Sequence, residues 1–443
     1  MLCKATNKML KLIDGLSHPS TKTELDLFSV PPTQVAVEHS RWREIPLANA
    51  CTNDGPYEFH IPPTPHMLHL YKNYIIMEFR IRHANATNLV NADGLVGPIN
   101  LIGKTFFNQV RLFLNGSEVF NSGNTYAYRV FLETELNFGK DAKNSQLDAS
   151  LYCKDTNNID SNQNQGFVTR AGYFAGSAWV QVMAPIHCDL FFQDRYLLNN
   201  IDIRLQLNRN INTFLLMYFG AAANPDFVVE VQHMRWLVKT VEVSPSVALA
   251  IEKTLLETTA KYPIRRVEIK TMNVAAGLRS TPSTALFNGQ IPRRILLGCI
   301  DGQGFHGAYN RSPFNFQHYD IRQVSIMAAG DSFPPKPLSL NFGGNLFLPA
   351  FVQLFEGLGM GGENKGNGVD KDSFQNGACL FAFDLSPDED DGSHWDLIRE
   401  GPVSINLEFG TPLAAAIEVI VYAEFDNLLT IDRHRNPTVD YRL

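Results

Sequence analysis

Short segments in which apolar and polar residues alternate recur along the 443-residue chain. Successive side chains of a β-strand point to opposite faces of its sheet, so alternation predicts strands with one buried face. The clearest strand signals are residues 74–82, 110–119, 201–207, 403–409 and 417–425, the last of which is rich in β-branched residues. Residues 110–119 contain Asn115-Gly116, a pair that predicts a tight hairpin because both residues tolerate positive φ.

Helical periodicity is sparse by comparison. Residues 126–138 and 348–358 each place apolar side chains on one helical face. Residues 246–256 show the same spacing after Ser244, a residue type that caps helices, and Pro263 stops the pattern. A capped helix between two strand-rich regions predicts a linker, which we place at residues 246–262.

Two long segments are rich in residues typical of surface loops. Residues 140–167 carry many Asn, Asp, Ser and Gln residues, and residues 357–377 are rich in Gly and Asn. Long insertions of this kind in a compact β-protein are commonly exposed, and they carry function or remain mobile. We therefore predict two prominent surface loops.

A weak internal repeat relates the two halves of the chain. Five elements follow the same order: a strand with a turn, a helix, an apolar strand, an alternating strand and a β-branched strand. They pair residues 108–119 with 322–333, 126–138 with 348–358, 188–192 with 380–385, 201–207 with 403–409 and 227–231 with 417–425. A long polar loop follows the helix in both halves.

The repeat predicts an all-β protein made of two tandem eight-stranded jelly-roll β-sandwiches with a few short helices. In each sandwich two sheets would bury their inner faces against each other. We place a basic N-terminal arm at residues 1–23, the first jelly roll at 24–245, the linker helix at 246–262 and the second jelly roll at 263–443.

Charge singles out the N-terminus. The formal net charge is −7, which argues against a surface that binds nucleic acid as a whole. Residues 1–22 nevertheless hold four lysines, among them Lys4, Lys8 and Lys11, against one aspartate. This arm is compatible with contact to nucleic acid or an anionic membrane, but its composition favours a solvated tail.

Motifs for chemistry are weak. Residues 357–362 satisfy GxGxxG but lack the surrounding βαβ unit, and the acidic run 388–391 does not fit a calcium loop. The six cysteines lie far apart, which argues against a zinc site and a dense disulfide scaffold. We predict no catalytic residues, no metal and no cofactor. A carboxylate pair on a β-sandwich has no linear signature, so a glycan-binding or glycan-hydrolysing protein remains the alternative.

Several long strings of the sequence resemble one protein family. These strings are residues 24–34, 96–101, 126–134, 191–199, 259–268, 313–319 and 422–427. They resemble the double jelly-roll major capsid proteins of Polinton (Maverick) elements and adintoviruses. The matches are in order and span most of the chain, with the extreme N-terminus and residues 357–377 matching least well.

The resemblance implies a structural role in a virion and no catalytic residues. Proteins of this kind form homotrimers whose six jelly rolls make a pseudo-hexameric capsomer, and capsomers tile an icosahedral shell assembled inside the host cell. A separate single jelly-roll penton protein is the implied partner. We expect the polar loops 140–167 and 357–377 at the outer end, and the arm with Lys4, Lys8 and Lys11 at the inner end, facing genome or membrane.

Overall fold

The fold was examined in a computed structural model of the chain. It describes residues 14, 16–17, 20, 22–156, 158–222, 225–389 and 394–439. Lys4, Lys8 and Lys11 lie outside the described residues. Within the described ranges no helix is both long and apolar enough to cross a bilayer.

The first half of the chain forms ten strands and five α-helices among the described residues. The strands are β1 (Val37–Pro46), β2 (Tyr57–Ile61), β3 (Met67–His83), β4 (Leu95–Pro98), β5 (Phe107–Leu114), β6 (Ser117–Asn121), β7 (Val180–Ala184), β8 (Ile203–Arg209), β9 (Leu216–Phe219) and β10 (Phe227–Val243). The helices are α1 (Ile102–Thr105), α2 (Tyr126–Asn137), α3 (Lys140–Lys143), α4 (Gln165–Tyr173) and α5 (Asn212–Leu215).

The second half follows after a connecting helix, α6 (Pro245–Leu255). Its strands are β11 (Ala260–Val274), β12 (Ala285–Phe287), β13 (Arg294–Asp301), β14 (Ile321–Ala328), β15 (Asp331–Ser339), β16 (Leu380–Asp384), β17 (Val403–Phe409), β18 (Ile417–Ile431) and β19 (Pro437–Val439). Its helices are α7 (Gly302–His306), α8 (Leu348–Glu356) and α9 (Lys371–Gln375). Short 3-10 turns complete both halves.

Both halves have the same sheet topology. The first contains sheets of order β1-β10-β3-β7 and β2-β8-β5-β6, and the second contains β11-β18-β13-β16 and β12-β17-β14-β15. Each strand of these two sheets in the first half therefore has a counterpart at the same place in the second. Two four-stranded antiparallel sheets connected in this order make a jelly roll, so the chain is a double jelly roll. Strands β4, β9 and β19 are additions to this frame.

The two sheets of each jelly roll bury aromatic side chains between them. In the first, Trp236 of β10 packs on Phe59 of β2 with ring centroids 6.1 Å apart. In the second, Phe425 of β18 packs on Phe287 of β12 at 5.7 Å. Alternate residues of the long strands are buried, as the period-two pattern predicts.

Most predicted elements are confirmed. The alternating segments fall within β3, β5, β8, β17 and β18, and the predicted hairpin forms with Asn115 and Gly116 both at positive φ. The helices at 126–138 and 348–358 are α2 and α8. Ser244 stands before α6, although its side chain makes no capping hydrogen bond.

The predicted strand at 188–192 is wrong. Residues Asp189–Phe192 form a 3-10 turn, and the counterpart of β16 is β7, which lies earlier in the chain. Asp189, Leu190 and Phe191 are buried in succession, a pattern that a turn permits. A half-buried strand would send neighbouring side chains to opposite faces.

We expect Trp236→Ala to lower the free energy of unfolding by about 3–5 kcal/mol, because it empties a fully buried site between the two sheets. Trp42→Ala on the neighbouring strand β1 is the control, since Trp42 is exposed and its loss should change stability by roughly 0.5 kcal/mol or less. Chemical denaturation of both variants measures the difference. Equal losses would contradict the assignment of Trp236 to the core.

Candidate functional site

Helix α2 lies at the junction of the two jelly rolls. Phe131 of α2 stacks on Phe314 of the second jelly roll, with centroids 4.2 Å apart and planes 4° from parallel. Tyr128 stacks on Phe305 at 5.7 Å. Nearly every residue of α2 is buried. The helix belongs to the first jelly roll by sequence, yet its outer face is covered by the segment that joins β13 to β14.

A buried polar network lies beside this aromatic contact. Arg129 Nε donates to Glu133 Oε1 at 2.9 Å, and its Nη2 lies 2.7 Å from Asp189 Oδ1. His187 Nδ1 lies 2.5 Å from Glu133 Oε2. The hydroxyl of Tyr422, on β18 of the second jelly roll, donates to Glu133 Oε1 at 3.2 Å. The network therefore joins the two jelly rolls by hydrogen bonds as well as by stacking.

The network holds its groups in defined charge states. Burial would raise the pKa of Glu133, but the Arg129 guanidinium and the His187 hydrogen bond together lower it to about 2. Burial, with the positive charge of Lys104 adding to it, lowers the pKa of His187 to about 4. At neutral pH Glu133 is therefore ionised and forms an ion pair with Arg129. His187 is neutral and serves Glu133 as an uncharged hydrogen-bonding partner.

A cleft of about 710 Å³ opens over this network between the jelly rolls. Side chains of both halves border it, including Arg129, His187 and Phe192 from the first and Arg294 and Tyr422 from the second. Arg294 pairs within it with Asp384 and Glu424, each at 3.5 Å. Arg129 and Arg294 are thus paired with carboxylates at the cleft, which forms a polar part of the junction.

The two predicted polar loops meet at one end of the molecule. Lys143 Nζ donates to the carbonyl of Asn367 at 2.7 Å. Asp160 accepts from the backbone N–H of Ser312, in the segment that joins β13 to β14, at 2.7 Å. Tyr309 of that segment donates to the carbonyl of Phe227, the first residue of β10, at 3.2 Å. The loops therefore gather where β10 begins.

These segments are more structured than loops of their composition suggest. They contain α3, α4 and α9, and the side chains of Lys143, Asn164 and Asn367 are buried. Asn164 accepts from Gly166 N and Phe167 N at the start of α4. The polar residues thus satisfy internal backbone groups, a use that composition by itself does not reveal.

The chain enters the first jelly roll at the opposite end, where β1 begins. The backbone N–H of Ser244, just after β10, donates to the carbonyl of Ala36 at 2.9 Å. The 17 residues of β10 separate this end from the loops, a span of roughly 50 Å. The Gln34 side chain donates to the carbonyl of Val37 and accepts from its N–H, which ties the residues before β1 to the start of that strand.

The segment between the N-terminal arm and β1, residues 24–36, carries exposed apolar side chains that our sequence reasoning missed. Phe28 is 96% exposed, and the other large apolar side chains of this segment are also exposed: Leu25, Leu27, Val30 and Val35. The signal was available in the sequence, since this apolar run precedes Pro31-Pro32 and has no strand periodicity. Side chains of this kind in water mark a surface that contacts something else.

The remaining candidate motifs carry no built site. Residues 357–362 follow α8 where a phosphate-binding loop would precede a helix. In the acidic turn, ligand atoms of Asp388, His394 and Asp396 lie within 4.8 Å of one another. His394 Nε2 already lies 2.7 Å from Asp388 Oδ2, and both residues are exposed. We assign no metal to this cluster.

Acidification should loosen the junction. His187 has a folded-state pKa of about 4 against an ordinary value of 6.5, so the unfolded chain takes up its proton first as the pH falls. Stability is then lost between about pH 6.5 and 4, by up to about 3 kcal/mol. Glu133, with its pKa lowered from 4.5 to about 2, extends the loss below pH 4.5.

In His187→Gln the loss between pH 6.5 and 4 should shrink, because glutamine does not titrate. Denaturation curves recorded across this range measure it, with His39→Gln on the exposed face of β1 as control. Parallel curves for the wild type and His187→Gln would contradict a buried neutral histidine at this position.

Comparison with known proteins gives one curated relative of nearly equal length. The chain is 31% identical over 423 residues to the uncharacterized protein F54H12.2 of Caenorhabditis elegans, covering 93% of this chain and 99% of that protein. No protein-family model matches the chain.

Solved structures with the same fold are capsid proteins. A chain of the Sputnik virophage superposes with a TM-score of 0.65 at 13% identity, covering 97% of this chain and 94% of that one. The mavirus major capsid protein superposes with a TM-score of 0.58 at 14% identity, covering 99% of this chain and 97% of that one. A chain of the PBCV-1 virus capsid superposes with a TM-score of 0.56 at 10% identity, covering 94% of this chain and 99% of that one. At these identities the likeness establishes the double jelly-roll fold. By sequence, the chain belongs to the family of the uncharacterized Caenorhabditis elegans protein F54H12.2.

Proposed function

We propose that the chain is a major capsid protein of the kind found in Polinton (Maverick) elements and adintoviruses. The observation that carries the proposal is the pair of jelly rolls with identical strand order, joined through α2 into one body. The likeness in fold to viral major capsid proteins along almost the whole chain supports it.

The proposed assembly is a homotrimer. Three chains supply six similar jelly rolls, so a closed threefold ring imitates sixfold packing. Such pseudo-hexameric capsomers would tile an icosahedral shell, with the strands roughly perpendicular to its surface. A separate single jelly-roll protein would fill the fivefold positions. Particles would form inside the host cell and the chain would be a component of the virion.

The separation of the two ends of β10 supports an orientation in this shell. We place the packed loops, residues 140–167 and 357–377, at the outer surface and the arm at the inner surface. The arm would bring Lys4, Lys8 and Lys11 toward the packaged genome or an underlying membrane. The exposed Leu25, Leu27 and Phe28 follow the arm directly along the chain.

The alternative, a glycan-binding or glycan-hydrolysing protein, finds less support. The hydroxyl of Tyr422 lies 3.2 Å from Glu133 Oε1 and 3.0 Å from Glu424 Oε1, which places two carboxylates together in the cleft. Hydrolysis of a glycosidic bond needs one carboxylic acid that holds its proton near neutral pH. The pKa of Glu133 is lowered to about 2, so this group cannot serve as that acid.

Purified full-length protein should run as a trimer of roughly 150 kDa, three times the chain mass of 49.6 kDa, or as larger shells. Light scattering after size exclusion measures the mass, and negative-stain microscopy should show particles of hexagonal outline. A stable monomer that binds sugars would overturn the proposal in favour of the alternative.

Replacing Lys4, Lys8 and Lys11 together by Glu should reduce the nucleic acid or lipid content of assembled particles while leaving the trimer intact. Reversing the charge of the arm replaces attraction to phosphate groups by repulsion. The control replaces three exposed lysines at the loop end, Lys140, Lys365 and Lys371. Particles of the arm variant with unchanged nucleic acid and lipid content would count against contact of the arm with the genome or a membrane.

A further inference from the structure

Helix α8 presents an apolar face to solvent. Leu348 and Val352 are 49% and 52% exposed, and Phe351 and Phe355 are half-buried beside them. These positions follow the i, i+3, i+4, i+7 spacing of one helical face. The opposite face is occupied, since Ala350 and Leu354 are buried where α8 packs on β16.

The counterpart of α8 shows what such a face does in this fold. Helix α2 joins β6 to β7, and α8 joins β15 to β16, which are the corresponding strands of the second jelly roll. The outer face of α2 is buried against the other jelly roll through Tyr128 and Phe131. These two residues are three apart, as Leu348 and Phe351 are. In a single chain α8 has no third jelly roll to cover it.

The complementary surface can be located by the same correspondence. The segment that covers α2 joins β13 to β14, and its counterpart in the first jelly roll joins β3 to β5. Val90 in that connection is 60% exposed. The neighbouring Leu89 N donates to Ser177 Oγ at 2.8 Å, which brings the exposed Trp179 to the same area.

We propose that the apolar face of α8 is the contact site for a second copy of this chain, which covers it with the surface around Val90 and Trp179. The contact repeats, between chains, the arrangement that joins the two jelly rolls within one chain. Each copy offers one α8 face and one Val90 surface, so three copies close a ring with every face covered. The inference rests on the trimer proposed above and names its interface.

The test introduces charge on α8. Leu348→Glu/Val352→Glu in the full-length protein should lower the mass measured by light scattering threefold, from trimer to single chain, because two carboxylates would have to be buried in the contact. The control, Leu249→Glu/Leu256→Glu, places the same charges on two exposed leucines in and just after α6 and should leave the trimer intact. Circular dichroism checks that all variants are folded.

If the double variant fails to fold, Val352→Ser provides a milder probe. It should weaken trimer association roughly tenfold, since it removes one buried apolar side chain per contact. A trimer of unchanged affinity in the serine variant, or of unchanged mass in a folded α8 variant, would overturn the inference. Dissociation of the α6 control would do the same, because the effect would then follow from charge anywhere on the surface.

A mixing experiment tests the partner surface. Val90→Asp should also yield single chains. Mixed with the α8 double variant, it should form a pair of about 100 kDa, twice the 49.6 kDa chain, because one intact α8 face then meets one intact Val90 surface. Absence of this pair while both variants are folded would refute the match. A wild-type chain that is itself monomeric would instead refute the trimer. Failure of the proposed interface and failure of the proposed trimer are therefore distinguishable.

Discussion

The structure depends on the burial of one helix between two sandwiches. Helix α2 has 12 residues, about three turns, and it has an apolar face toward its own jelly roll and an aromatic face toward the other. The stack of Phe131 on Phe314 excludes water from the junction, and beside it Arg129, Glu133 and Tyr422 fix its register through charge-assisted hydrogen bonds. Breaking the hydrogen bonds would leave buried polar groups without partners, and losing the stack would open the junction to water.

The same constraint explains the exposed surfaces. A chain that contains the same jelly roll twice makes one junction internally and leaves the equivalent surfaces open at its two ends. The apolar face of α8 and the surface around Val90 are those open surfaces, and their exposure in a single chain is a consequence of the duplication. In the proposed trimer each of these surfaces covers the other on a neighbouring chain, because a heterologous interface that closes into a ring leaves no copy uncovered.

The polar segments 140–167 and 357–377 have a related physical basis. Connections between strands at one end of a sandwich must satisfy their own backbone groups wherever they are packed away from water. Here Asn164 caps α4, and Lys143 reaches from the first jelly roll to a carbonyl of the second. The polar composition that predicts surface loops therefore also permits a packed, hydrogen-bonded structure. Which of the two forms depends on whether the polar side chains contact backbone groups or solvent.

The sequence by itself determined the alternating strands β3, β5, β8, β17 and β18, the Asn115-Gly116 hairpin, helices α2 and α8, and most of the order of elements repeated in both halves. Those features are local, since a period of two or of 3.6 residues and the φ preference of a turn are written in neighbouring residues. Only the tertiary structure decided that 188–192 is a turn with Asp189 beside Arg129, and that β7 is the true counterpart of β16. It also decided that the face of α2 is buried while that of α8 is exposed. Both helices have the same amphipathic pattern, and the difference lies in what the rest of the chain places opposite each one, which no local pattern encodes.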